Sequence, residues 1–178
     1  MRTVPLYGKV AAGRVAMVDD ADYGLVMQYR WNVQERTRPN GGKIGPYAFT
    51  SVPRGDGRNR IVWMHQLLMP GASNVDHEDC DGLNNQRSNL RRATDRQNQG
   101  NRRKARVHGG RAVSSRWKGV GLFKPTGRWR AYIQLNGHQK HLGFFANEDD
   151  AARAYDAAAH ESFGEFARVN FPDSGAAS

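Results

Sequence analysis

The sequence is poor in cysteine, in long apolar runs and, over one stretch, in acid. Cys80 is the single cysteine, so no disulfide can form within the chain and no Cys-rich zinc site can be built. No segment approaches the roughly 18 apolar residues that a membrane-crossing helix needs. The opening MRTVPLYGKV lacks the apolar run of a signal peptide. A soluble cytosolic protein with no membrane partner is therefore expected. Hydrophobic residues make up 38% of the 178 and the mean hydropathy is -0.77, which points to a modest and divided core: one ordinary domain, or two to three small modules. Acid is scarcest between Arg87 and Lys118, where 11 Lys or Arg stand against Asp95 alone. That stretch carries a charge of +10 in 32 residues, equal to the net charge of the whole chain. Such a balance calls for a polyanion as partner.

What is present is concentrated between Val75 and Asn101. Asp76 and His77 stand side by side, a loop follows with Leu83 as its one large apolar residue, and a polar segment returns several Asn. Asn74 to His77 reads as a short strand, Asp79-Cys80-Asp81-Gly82 as a turn, and Leu90 to Ala93 as a second extended piece. Thr94 with Gln97 three residues on forms a capping-box pattern for a helix from Asp95 to about Arg103. A neutral His can take a proton from water, and a carboxylate with an amide oxygen can hold a hard cation, so this ββα unit suits metal-assisted attack on phosphate. A calcium loop over Asp79 to Gly82 is rejected, because an EF-hand spacing would need an acid at His77 and a Glu at Ser88. Asn84, Asn85 and Asn101 read equally well as plain turn and helix-end residues.

Asp76-His77, Asn89 in Ser88-Asn89-Leu90, and Asn98 in Gln97-Asn98 together resemble the HNH nuclease motif of phage and intron homing endonucleases. The spacings are 12 residues from His77 to Asn89 and 9 from Asn89 to Asn98. The resemblance implies that His77 is the general base, that Asp76 and Asn98 hold one divalent cation, Mg²⁺ or Mn²⁺, and that Asn89 fixes the loop and orients the His. It also implies 5′-phosphate and 3′-hydroxyl products, and a place in a phage-infected or bacterial host cell. Some relatives carry structural zinc, and this chain lacks the ligands. His65, in Met64-His65-Gln66-Leu67-Leu68-Met69, is a further catalytic candidate, set against a His simply packed under the hairpin.

The rest of the chain divides around this motif. Residues 1–58 read as a β-rich lead-in without chemistry: short strands between residues 3 and 18, a helix from Ala21 to Arg30 with Leu25, Val26 and Tyr29 in the core, a strand at Trp31 to Gln34, a loop from Arg38 to Gly45, and a hairpin of Tyr47 to Val52 with Arg60 to Trp63. Residues 59–104 hold the nuclease motif, 105–113 a flexible basic linker around Gly109-Gly110, and 173–178 a disordered tail. Residues 114–172 form a separate module. Arg128 to Leu135 alternates polar and apolar residues, Asn136-Gly137 marks a hairpin, His141 to Phe145 is a third strand, and the helix after Asn147 carries Ala151, Ala152, Ala154, Tyr155, Ala158 and Ala159. The fold class expected is α+β.

WKGV, GRWRAYI, LGFF, AARAYDAAA and the closing VNFP make this module resemble the APETALA/ethylene-response-factor-type DNA-binding domain, in which a three-stranded sheet lies in the major groove. By position, DNA contacts fall on Lys118, Arg128, Arg130, Tyr132, Gln134, Gln139 and His141, with Arg102 and Arg103 beside the nuclease helix. Gly121, Tyr132, Gln134 and His141 depart from the plant pattern of Arg, Glu, Arg and Trp, so the plant target is not carried over. The expectation is a metal-dependent endonuclease acting on double-stranded DNA as a monomer or weak dimer. The alternative is a DNA-binding transcriptional regulator whose nuclease motif is inactive.

Overall fold

The computed structural model describes residues 1–37, 43–104, 107–108 and 111–172. Strands, helices and several small antiparallel sheets make it α+β. By packing it divides into two units, one of residues 1–37 and 43–94 and one that begins at Asp95.

In the first unit, β1 (Arg2–Pro5) pairs antiparallel with β2 (Val15–Val18), and α1 (Asp20–Val26) follows. Then come β3 (Asn32–Thr37), β4 (Lys43–Pro53) and β5 (Asn59–Trp63) as an antiparallel sheet in that order, and α2 (Met64–Leu68). The nuclease-like hairpin is β6 (Val75–His77) on β7 (Leu90–Arg92), with His77 opposite Leu90 and a 3-10 turn at Arg87–Asn89 before β7. One core serves most of these elements: Val4, Val18, Val26, Trp31, Met64, Leu68, Leu83 and Leu90 are buried in a single cluster.

The residues expected to be a lead-in are thus joined to the motif. Backbone bonds from Met17 N to Leu83 O and from Asn85 N to Met17 O, both 2.8 Å, run the loop between β6 and β7 alongside β2. Asp22, buried on α1, accepts from Arg87 Nε and Nη2 at 2.8 and 2.7 Å, while Asp19 accepts from the Arg87 backbone. The expected helix to Arg30 stops at Val26, and Leu25 is exposed rather than core, because the inward face of so short a helix is made by Asp22 and Val26 with Tyr23 half-buried beside them; Tyr29, beyond the helix, packs half-buried on the core. Of the expected loop at Arg38 to Gly45, residues 38–42 lie outside the described residues and Lys43 to Gly45 belong to β4.

The second unit begins with α3 (Asp95–Asn101), two residues shorter than expected. The segment read as a linker contributes β8 (Val107–His108) paired with β9 (Arg111–Ala112); its residues 105–106 and 109–110, and the tail 173–178, lie outside the described residues. β10 (Val120–Phe123), β11 (Arg128–Leu135) and β12 (His138–Phe145) form an antiparallel sheet in sequence order, and α4 (Glu148–Phe163) packs on one face. Ala131 and Ile133 point inward onto Ala151, Ala152, Tyr155 and Ala159, so the alanines let helix and sheet approach closely. Asn147 caps α4 by accepting from Asp150 N at 2.7 Å, and three acids fill the first turn. Gly119, at φ +73, leaves no room for a side chain: a Cβ there would lie 1.9 Å from the Tyr155 ring. The closing VNFP has a defined task. Asn170 accepts from Lys118 N and donates to Lys118 O, while buried Asp156 accepts from the backbone N–H groups of Asn170 and Phe171.

Candidate active site and nucleic-acid face

The loop between β6 and β7 is a network of side-chain oxygens capping backbone N–H groups, which is why Asp and Asn crowd it. Asp79 Oδ1 accepts from Asp81 N, and Asp81 Oδ1 accepts from Leu83 N. Asn89 fixes the loop from the far side: its Oδ1 accepts from Asp79 N, and its Nδ2 donates to Asp79 Oδ1 and to Asn84 O, at 2.8 to 3.0 Å. Gly82 is required at the end of the turn, since a Cβ there would lie 2.3 Å from the Tyr47 ring and 2.4 Å from Pro46 O. Burial pushes the Asp79 carboxyl up, but the bonds from Asp81, Asn84 and Asn89 and the nearby His77 outweigh it and hold the carboxyl below its ordinary value.

His77 is buried on β6 and touches Asn85 rather than Asn89. The Asn85 side chain is fully buried, and its Nδ2 donates to Leu83 O at 3.2 Å, which turns its Oδ1 toward His77 Nε2 at 3.4 Å. An amide oxygen only accepts, so this contact is a hydrogen bond in the tautomer that carries its proton on Nε2. Burial lowers the His77 pKa; the Asn85 bond and the carboxylates of Asp79, Asp76 and Asp81 pull the other way without prevailing. The residue that touches His77 was therefore hidden in the sequence among like neighbours. Its one signal is position, two residues after a buried Leu in a loop that runs beside β2.

His65, on α2, lies against His77 with ring centroids 5.1 Å apart, edge to face. Trp63 stacks on its other side and Tyr47 packs at 5.7 Å from both histidines. Burial, and then the neighbouring His77, lower the His65 pKa to about 3, and its Nδ1 is buried without a hydrogen-bond partner. This ring is a neutral wall of the site.

Asp76 is buried on β6, and its Oδ2 accepts from Arg91 Nη2 at 2.5 Å; Glu78 lies 3.6 Å from the same guanidinium. Asn98 lies on α3, and so belongs to the second unit, where its Oδ1 is buried without a hydrogen-bond partner. Carboxylate and amide oxygens are hard donors, and an unpaired buried amide oxygen is what a hard cation would satisfy. Among the described residues no three His, Cys, Asp or Glu converge on one point. Each of these oxygens, taken by itself, is a donor of the kind that an ion such as Mg²⁺ accepts more readily than softer ions do.

The residues predicted to touch DNA fall in two groups. Arg128, Arg130, Tyr132 and Gln134 share the face of β11 opposite α4, and the register sets Gln139 opposite Gln134 and His141 opposite Tyr132 on that same face. Arg130 lies over the Tyr132 ring at 5.2 Å, and Gln134 Nε2 donates to Gly137 O. Lys118 stands apart: its Nζ donates to Gly100 O at 2.5 Å, so it ties the start of the sheet to the end of α3. Arg102 and Arg103, just after α3, are exposed.

Comparison with known proteins adds two likenesses. The chain is 29% identical over 163 residues to an uncharacterised HNH endonuclease of Acanthamoeba polyphaga mimivirus, covering 89% of this chain and 75% of that protein. It is 44% identical over 63 residues to an AP2-like ethylene-responsive transcription factor of Arabidopsis thaliana, and 47% identical over 60 residues to an AP2/ERF and B3 domain-containing transcription factor of the same plant. Those matches take in 35% and 34% of this chain but only 13% and 17% of the plant proteins. No family model matches the chain, and no solved structure does. No helix among the described residues is long and apolar enough to cross a membrane. The chain is thus similar over most of its length to an HNH endonuclease and over about a third to AP2/ERF transcription factors, which suggests a nuclease or a DNA-binding protein.

Proposed function

We propose that this protein is a metal-dependent endonuclease that hydrolyses phosphodiester bonds of double-stranded DNA, with the β10–β12 sheet positioning the cut. The observation that carries the reading is His77: buried, with its Nε2 3.4 Å from Asn85 Oδ1 and the His65 ring against it, in a loop pinned by Asn89. In the reaction, His77 Nδ1 takes a proton from a water molecule whose oxygen attacks phosphorus. The bond from phosphorus to the 3′ oxygen breaks, and the 3′ oxygen leaves with a proton from solvent, giving 5′-phosphate and 3′-hydroxyl ends. Asp76 would hold the cation, which when bound supplies charge neutralisation at the phosphate. His65, Tyr47 and Trp63 keep the base ring in place and exclude water from one side of it.

The test is nicking of supercoiled plasmid with Mg²⁺ or Mn²⁺ and with EDTA. Cleavage with metal and none with EDTA is expected. The alternative reading, a DNA-binding regulator with an inert motif, is favoured by one observation: Arg91 already neutralises Asp76. Tight DNA binding without cleavage in any metal would decide for it.

A further inference from the structure

The outer face of the C-terminal sheet carries two phenylalanines that the expected contacts leave out. The register sets Phe123 on β10 opposite Arg128, and Phe144 on β12 opposite Arg130. Paired residues share a face, and Ala131 and Ile133 mark the other face as the one packed on α4. The Phe123 and Phe144 rings therefore meet over β11 on the solvent side, with centroids 5.0 Å apart, and His141 adds a third ring 4.7 Å from Phe144. Phe144 is 38% exposed. The chain spends two phenylalanines where the fold gains little from them, since the core lies on the other side. Around the cluster the face is polar and basic, with Arg128, Arg130, Gln134 and Gln139. Gly121 stands opposite Arg130, and a Cβ there would meet Ser114 Oγ at 3.7 Å and the Tyr132 ring at 4.0 Å, ordinary contacts.

We propose that Phe123 and Phe144 are specificity-determining residues that read the methyl group of thymine in the major groove of duplex DNA. The inference rests on the reading of this sheet as the DNA-positioning module. A groove wide enough for a β-ribbon displays polar base edges and one apolar group, the thymine C5-methyl. An apolar patch ringed by guanidinium and amide groups complements that surface: the arginines meet phosphates or guanine edges, and the rings meet methyls. The basic rim and the overall charge of +10 favour this occupant over a protein partner.

The experiment measures binding of the full chain, in EDTA so that nothing is cut, to duplex fragments amplified from one template with either thymidine or deoxyuridine triphosphate. Uracil keeps every hydrogen-bonding edge and lacks only the methyl. The wild-type chain is expected to bind the thymine duplex at least about fourfold more tightly, the equivalent of one buried methyl. Phe144→Ala and, independently, Phe123→Ala should weaken binding to the thymine duplex and erase the difference. Equal binding of the two duplexes by the wild-type chain overturns the proposal, and that comparison needs no variant to fold. A loss in Phe144→Ala of single-stranded binding alone, with duplex binding intact, also overturns it and assigns the rings to base stacking. Absence of any duplex binding would be the failure of the DNA-positioning reading instead.

Discussion

Burial keeps His65 and His77 neutral, and each neutrality has its own measurable consequence. His65 sits at a pKa of about 3 against an ordinary 6.5, so between these values the unfolded chain binds a proton that the folded one refuses. Stability is undiminished above pH 6.5 and falls as pH drops from 6.5 toward 3, by up to about 1.4 kcal/mol per pH unit from this one group. Thermal unfolding at pH 7 and pH 5 should show a larger drop in Tm for the wild-type chain than for His65→Leu; equal drops would contradict the burial argument. At His77 the orienting bond is the testable part. Asn85→Ala should lower the cleavage rate about 10- to 100-fold, with DNA binding unchanged, as removal of a group that orients a catalytic side chain does. That role could not be read from the sequence. Asn84 and Asn85 occupy the same turn, and only the path of the chain beside β2 decides which of them turns inward.

Among the elements, the β6–β7 hairpin depends on parts far away in sequence. Asp22 on α1 holds Arg87 across 65 residues, and Met17 exchanges backbone bonds with the loop. Sequence periodicity reports local geometry, so β11 was legible to the residue from its alternation, and α4 from its alanines after Asn147. It is silent about long-range backbone pairing, and residues 1–58 accordingly read as a lead-in when they share the core of the motif. Phe123 and Phe144 were passed over for a related reason: an apolar residue in a strand reads as core until the register assigns its face. Gly82 shows how tightly the elements fit. Gly82→Ala would drive a methyl into Tyr47 and Pro46 O, and should destabilise the fold by about 1 to 3 kcal/mol, seen as a lower urea midpoint. An unchanged midpoint would mean that β4 yields there at no cost.

For the whole molecule, charge governs encounter with DNA. Each neutralised phosphate contributes about -0.9 to the slope of log K against log salt, so replacing both Arg102 and Arg103 by Ala should make the slope shallower by about 2. Titrations of duplex binding between about 50 and 200 mM salt would show it. An unaltered slope would place these exposed arginines away from the backbone. The central claim, however, is hydrolysis with His77 as base. The measurement that tests it most directly is nicking of supercoiled plasmid in Mg²⁺ or Mn²⁺ by the wild-type chain and by His77→Ala, with binding measured in parallel. The account predicts cleavage by the wild type, and a loss of at least about 100-fold in the variant with binding kept. Cleavage that survives in His77→Ala would contradict it and assign the proton to another group.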